Sequence, residues 1–167
     1  VLFIIFINDL PECIKNTCKM YADDSKVLAK IRPEHADEDA RSLQNDIESI
    51  SNWTKTWLMR LNIQKCSVMH VGKRNPKTKY TMADYDSTNR FNLCTTECER
   101  DLGVMMSSDL KPSAQCNKAA AKANRLLGLF RNSLATRDRK TWTLVYKAYI
   151  RPQIEFANPA WSPYRKK

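Results

Sequence analysis

The side chains in this sequence best suited to chemistry are two adjacent carboxylates, those of Asp23 and Asp24. They follow Tyr21 and Ala22, and apolar residues flank the group on both sides. This pattern predicts a strand, a tight acidic turn and a return strand. Carboxylate oxygens at a hairpin tip are ligands that Mg²⁺ prefers, with water and substrate phosphates completing its shell. From these residues alone, the alternative is a surface hairpin whose acidic tip binds nothing.

Helices before and after the acidic turn are expected to hold it in place. Residues 1–10 predict an apolar helix that ends near Pro11, and Asp9 is interpreted as a helix-end residue. Residues 34–61 have apolar positions at alternating spacings of three and four, which predicts one long helix. Acidic residues crowd its first turns, where negative charge suits the helix dipole. Further strands are predicted at residues 66–71, 80–82, 91–93 and 102–106, and loops at 72–79 and 84–90.

Charge is distributed unevenly along the chain. The net charge is +10, yet residues 1–111 carry equal numbers of basic and acidic side chains. Residues 112–167 carry 12 Lys and Arg against Asp138 and Glu155 alone. This asymmetry indicates a polyanion as the partner of the last third of the chain. A membrane surface is the alternative partner, but no basic tract here is paired with an exposed apolar stripe of its own. The apolar run at the start is also too short to span a bilayer, which takes ~20 residues.

The basic third of the chain is predicted to be helical. Pro112 opens the first helix, and Thr136 is the expected N-cap of the second. Each helix carries a row of basic side chains, which are Lys118, Lys122 and Arg125 on the first and Lys140, Lys147 and Arg151 on the second. Such rows follow phosphates without reading bases, which gives salt-dependent binding that is independent of sequence. The alternative is a face that serves solubility.

Several motifs occur together in one order and spacing. They are residues 1–11, Tyr21-Ala22-Asp23-Asp24, residues 57–66, Asp101-Leu102-Gly103-Val104, residues 150–157 and Trp161-Ser162-Pro163. As a set they resemble the reverse transcriptase of non-LTR (LINE-type) retrotransposons of the jockey or CR1 kind, over nearly the whole chain. The resemblance implies an α+β fold, with a partial polymerase palm and primer-grip-like hairpin in residues 1–111 and a helical, basic thumb in residues 112–167.

The resemblance also implies roles for individual residues in metal-dependent nucleotidyl transfer. Asp23 would be the first ligand of a two-metal Mg²⁺ site, and Asp24 would support it. Tyr21 would help to place the primer end, and the small Ala22 would leave room for the nucleic-acid backbone. Lys65 would protonate the leaving pyrophosphate. The alternatives are ordinary strand packing for Tyr21 and a solvated turn for Lys65.

The primer and the template have expected contacts of their own. By resemblance, Leu102 and Gly103 belong to the hairpin that grips the primer strand, and Gly103 permits close approach of a backbone. The alternative is a plain edge strand. The six basic residues of the two helices would bind the primer–template duplex. The partners implied are therefore an RNA template, a DNA primer and deoxynucleoside triphosphates.

One part of the family's metal site has no counterpart in the sequence. The family carries another catalytic Asp on a strand upstream of the acidic box, and nothing in residues 1–20 matches it. We therefore expect a fragment of a longer polyprotein, inactive as a polymerase by itself and with Phe3, Ile4 and Phe6 partly uncovered. Its expected location is intracellular and nuclear, within a retrotransposon ribonucleoprotein. The alternative function is a catalytically inactive, nucleic-acid-binding remnant of a retroelement.

Overall fold

The computed structural model describes residues 2–85, 89–136 and 138–162, so part of the loop predicted at 84–90 lies outside the described residues. Packing divides the chain into two compact units, residues 1–96 and 97–167. Both units combine helices with strands, which confirms a mixed helix-and-strand fold. None of the described helices is both long enough and apolar enough to cross a lipid bilayer.

The first unit consists of two helices, short strands and 3-10 turns. Its helices are α1 (Leu2–Ile7) and α2 (Ala36–Thr56), and its strands are β1 (Thr17–Tyr21), β2 (Asp24–Leu28), β3 (Ser67–Met69), β4 (Thr81–Ala83), β5 (Arg90–Asn92) and β6 (Cys94–Thr96). β1 pairs with β2 and β4 with β5, both antiparallel, whereas β3 and β6 are parallel. The strand β6 was not predicted, because its residues Cys94, Thr95 and Thr96 show no apolar alternation.

The long helix α2 supports the rest of the first unit. Ala40 and Ile47 are buried in a cluster with Tyr80 and Met82. Farther along α2, Ile50 and Trp53 pack on a second cluster, whose buried members are Ile7, Leu10 and Ile14. Cys18, Met20 and Val27 of the β1–β2 hairpin pack on this second cluster too. The apolar periodicity that predicted the helix therefore marks the side of α2 that packs on both clusters.

The end of α2 differs from the prediction. The helix stops at Thr56 rather than at residue 61, because Leu58 adopts a left-handed conformation with φ +53°. The Met59 N–H donates to the Thr54 carbonyl at 2.8 Å and the Leu58 N–H to the Lys55 carbonyl at 3.2 Å. These two bonds form a Schellman cap, which usually has Gly at the left-handed position. Because Leu occupies that position here, the sequence carries no visible stop signal.

The expectation of partly uncovered apolar residues in α1 is confirmed. Phe3 and Phe6 are each 42% exposed, and Ile4 is 61% exposed. Among residues 3–7, whose side chains the structure describes, only Ile7 is buried, in the cluster with Leu10 and Ile14.

The second unit joins a hairpin to helices. Its elements are β7 (Cys98–Asp101), β8 (Val104–Ser107), α3 (Ser113–Ser133), α4 (Arg139–Val145), a π-helical turn (Tyr146–Ile150), α5 (Arg151–Glu155) and α6 (Asn158–Trp161). The buried Gln115 side chain of α3 accepts a hydrogen bond from the Met105 N–H of β8 at 2.9 Å. This contact joins the hairpin to α3, and packing divides the chain after Thr96, whereas the charge asymmetry and the family resemblance placed the division after Lys111.

The start of α3 confirms the role predicted for Pro112, but the cap of α4 is different from the prediction. Asp138 is the N-cap, and its Oδ1 accepts a hydrogen bond from the Thr141 N–H at 2.9 Å. The Thr136 hydroxyl instead donates to Asp138 Oδ2 at 3.0 Å. Both residue types can cap a helix, but the carboxylate is closer to the first turn.

Candidate functional site

The acidic box lies at the tip of the β1–β2 hairpin, as predicted. Tyr21 pairs with Asp24 at the end of the ladder, so Ala22 and Asp23 alone form the turn. Ala22 has φ +53°, a left-handed conformation that costs a residue other than Gly about 1–2 kcal/mol. Ala avoids the further crowding that a β-branched or bulky side chain would add in this conformation. The local backbone therefore projects the Asp23 side chain from the turn itself and that of Asp24 from the first position of β2.

The two faces of the hairpin have different surroundings. Cys18, Met20 and Val27 lie on the inner face and pack on the apolar cluster beneath it. Tyr21 and Asp24 lie on the opposite face, because side chains alternate along a strand. Tyr21 is 66% exposed, so much of its ring is accessible on this face. The outer face thus carries an aromatic ring beside a carboxylate.

The carboxylates of Asp23 and Asp24 are available for a ligand. Both are exposed, and neither forms an ion pair or a side-chain hydrogen bond with any residue that the structure describes. Their oxygens suit a hard divalent cation whose remaining positions are filled by water and phosphate. Across the described ranges, no group of three or more His, Cys, Asp or Glu is arranged to hold a metal ion. The donor set at the tip therefore fits part of a Mg²⁺ shell, with two carboxylates.

Lys65 lies away from regular strands, as the last residue of a 3-10 turn, Ile63–Lys65. Its side chain is exposed and has no ion-pair partner among the described residues. Both interpretations, a proton donor to pyrophosphate and a solvated turn residue, agree with this position.

Leu102 and Gly103 form the turn of the β7–β8 hairpin, between the paired residues Asp101 and Val104. Gly103 has φ +91°, a conformation that favours Gly. A Cβ at this position would lie 2.9 Å from Cε1 of Phe156. The absence of a side chain therefore makes room for an aromatic ring of the same unit, which gives Gly103 a structural role in addition to the one predicted for it.

The first basic row lies along α3. Lys122 and Arg125 are exposed and Lys118 is half-buried, while Ala119 and Ala123 are buried on the other side of the helix. None of the three basic side chains forms an ion pair within the described ranges. The row is therefore a positively charged stripe without internal compensation.

The second basic row is less uniform. Lys140 lies in α4 and Lys147 in the π-helical turn, both exposed. Arg151 begins α5, and its Nε donates to Glu155 Oε1 at 2.8 Å. This ion pair offsets the charge of Arg151, so Lys140 and Lys147 are the stronger candidates for binding a polyanion in this row.

Two residues that shape these sites were not predicted from the sequence. Asp46 is an acid inside the apolar stripe of α2, and it is almost completely buried. That interruption of the stripe is the signal that could have identified it. Phe156 covers Gly103, and nothing in the sequence connects these two distant residues.

Comparison with known proteins found no matching family model, no matching curated protein and no matching solved structure.

Proposed function

We propose that this chain is a fragment of an RNA-directed DNA polymerase, the reverse transcriptase of a non-LTR retrotransposon. The observation that carries the proposal is the acidic box Tyr21-Ala22-Asp23-Asp24 at the tip of a tight hairpin. In this proposal, the first unit is part of a polymerase palm and the helices of the second unit belong to the thumb. The natural partners are an RNA template, a DNA primer and deoxynucleoside triphosphates.

The chemistry assigned to the hairpin is metal-dependent nucleotidyl transfer. Mg²⁺ bound here would activate the primer 3′-hydroxyl and stabilise the leaving pyrophosphate. Asp23 and Asp24 supply two carboxylates to that site, and a further carboxylate comes from the upstream strand of the longer protein. Tyr21, exposed beside Asp24, is the surface on which the primer end rests. Lys65 donates a proton to the pyrophosphate.

Binding of nucleic acid is assigned to the second unit. Lys118, Lys122 and Arg125 are uncompensated along α3, which suits a row of phosphates. Lys140 and Lys147 extend the positive surface, and Arg151 contributes once it exchanges Glu155 for a phosphate. Leu102 and Gly103 hold the primer strand from the tip of their hairpin.

The test is primer extension by a longer polypeptide that restores the upstream palm strand and the fingers to residues 1–167. Asp23→Asn should abolish Mg²⁺-dependent extension, because charge stabilisation and alignment supply most of the rate. Asp37→Asn, an equal charge change in the exposed first turn of α2, is the matched control and should leave the rate unchanged. Extension by Asp23→Asn near the wild-type rate would remove Asp23 from the metal site.

The isolated chain provides a second arm of this test. With poly(rA)·oligo(dT) and Mg²⁺, residues 1–167 should not extend the primer, because a two-metal site needs ligands from a second strand. Robust incorporation that Asp23→Asn eliminates would mean that another carboxylate of this chain completes the site. If the restored polypeptide binds primer–template but never extends it, the chain is the inactive, nucleic-acid-binding remnant instead.

A further inference from the structure

The largest fully buried side chain among the described residues is a carboxylate, that of Asp46 in α2. Only 1% of the residue is exposed. Burial of a carboxylate is costly unless hydrogen bonds replace the water it loses. A buried acid on the packed side of α2 therefore requires specific partners, and these partners indicate what the residue does.

Asp46 binds the segment that leads into the acidic hairpin. Its Oδ1 accepts a hydrogen bond from the Lys15 N–H at 2.9 Å, and its Oδ2 accepts one from the Asn16 N–H at 2.9 Å. The Asn16 side-chain amide donates to the same Oδ2 at 2.7 Å and to the Ser42 hydroxyl at 3.3 Å. Two successive backbone N–H groups and one side chain are thus held by a single carboxylate.

These contacts lie at the base of the hairpin. Asn16 immediately precedes Thr17, the first residue of β1. The inner face of the hairpin packs on the cluster of Ile7, Leu10 and Ile14, and Ile50 and Trp53, which follow Asp46 along α2, pack on the same cluster. Apolar contacts of that kind allow a strand to slide or tilt, whereas three short hydrogen bonds to one carboxylate fix both position and direction.

We propose that Asp46 is a positioning residue that sets the direction of the hairpin and so the placement of Asp23 and Asp24. Its consequence for catalysis rests on the function proposed above. A five-residue strand is about 17 Å long. A rotation of about 10° at its base therefore moves its tip by about 3 Å, far beyond the ~0.5 Å within which functional groups must be held.

The chemistry of the clamp requires a carboxylate. The hydrogen-bond partners of Asp46 among the described residues are all donors, namely two backbone N–H groups and the Asn16 amide. In Asp46→Asn, the new NH₂ group would point at one of these part-buried donors, which would then lose its acceptor. Asn16→Ala is milder, because it removes the side-chain donor and keeps both backbone bonds.

The test follows two signals from the full chain, residues 1–167. Amide hydrogen exchange of β1 and β2 reports how firmly the hairpin is held, with the β7–β8 hairpin of the other unit as internal reference. Relaxation of the Tyr21 and Asp24 amides by added Mn²⁺ reports metal binding at the tip. Ile47→Val, beside Asp46 but in the other cluster of α2, serves as a control for lost stability.

We expect Asp46→Asn to speed exchange in β1 and β2 at least tenfold and to weaken the Mn²⁺ effect severalfold, with β7 and β8 unchanged. Asn16→Ala should change both signals in the same direction by less, and Ile47→Val should change neither. Wild-type exchange in both Asp46→Asn and Asn16→Ala would overturn the inference. If Asp46→Asn does not fold, wild-type exchange in Asn16→Ala alone would overturn it.

The two proposals fail in different ways. If Mn²⁺ does not affect the hairpin tip of the wild-type chain, the metal site of the proposed function is wrong, while the exchange data still decide the role of Asp46 in positioning the hairpin. If Mn²⁺ binds equally well in wild type and Asp46→Asn although exchange differs, Asp46 stabilises the hairpin without placing its carboxylates, which also overturns the inference.

Discussion

The ring of Phe156 lies against Gly103, at the place where any other residue would carry its Cβ. The distance from that position to Phe156 Cε1 is 2.9 Å, and to Cζ it is 3.0 Å. The contact joins the turn of the β7–β8 hairpin to the residue that follows α5. The Trp161 indole in turn holds Phe156 by donating a hydrogen bond to its backbone carbonyl at 2.8 Å.

Gly103→Ala should destabilise the second unit by about 1–3 kcal/mol. The φ of +91° opposes a Cβ, and the methyl group would also displace the Phe156 ring. Gly72→Ala is the matched control, because Gly72 has φ +93° but no atom within 4 Å of a built Cβ. Urea unfolding of both variants measures the difference. Equal losses of unfolding free energy would mean that the Phe156 contact contributes nothing.

Charge reversal of the α3 row should weaken binding to primer–template. Replacing Lys118, Lys122 and Arg125 by Glu removes cations that have no ion-pair partner in the described ranges. Affinity should fall similarly for unrelated sequences, and the slope of log K against log salt should flatten by up to about one unit per lost phosphate contact. Filter binding across salt concentrations measures both.

A second charge-reversed variant separates this stripe from net charge alone. Glu at Lys73, Arg74 and Lys77, in the loop predicted at 72–79, changes the charge of the chain by the same amount. It should weaken binding less than the α3 variant does. Unchanged affinity in the α3 variant, or an equal effect in both, contradicts the assignment of α3 to the phosphate backbone.

Leu58→Gly should stabilise the first unit by about 0.5–1 kcal/mol. Leu58 is left-handed and 80% exposed, so Gly relieves backbone strain and sacrifices little buried area. The same exchange at Leu129, 58% exposed inside α3, should instead cost about 1 kcal/mol. Thermal unfolding of the two variants gives the comparison. A loss of stability in Leu58→Gly would show that the side chain outweighs the strain.

The Asp138 cap should respond to acid. Hydrogen bonds from Thr141 and Thr136 lower the pKa of Asp138 to about 2. The unfolded carboxyl titrates near 3.9, so the cap stabilises fully above about pH 4 and loses its effect as pH falls through about 2. Exchange of the Thr141 amide should therefore accelerate over this range, after correction for intrinsic rates. In Asp138→Asn, which caps without titrating, no such step should occur.

The parts of the fold that depend on local patterns were predictable from the sequence. The acidic hairpin, the body of α2 and the start of α3 at Pro112 each follow from periodicity or turn chemistry over a short window. The end of α2 was not predictable, because the left-handed position that ends the helix is usually occupied by Gly and here is occupied by Leu58. β6 and β7 were missed since Cys94–Thr96 and Cys98–Asp101 are polar and owe their pairing to partner strands.

The residues of the candidate site also separate into those that the sequence identified and those that only the fold reveals. The side-chain types of Asp23 and Asp24 and their adjacency are properties of the sequence, and they indicate metal chemistry by themselves. Asp46 and Phe156 act across the chain, on Lys15 and Asn16 and on Gly103, and only folding brings these residues together. The polarity of Asp46 predicts an exposed side chain, and its position within the apolar periodicity of α2 is the sequence signal for its burial.

Each sheet in the described part of the chain has two strands, so every one of these strands is an edge strand. Along each outer side, backbone N–H and C=O groups have no neighbouring strand and can form hydrogen bonds with another polypeptide segment. The acidic hairpin, with strands of five residues, offers the longest such sides. A third strand could therefore be added to it by β-augmentation, without breaking a bond of the existing ladder.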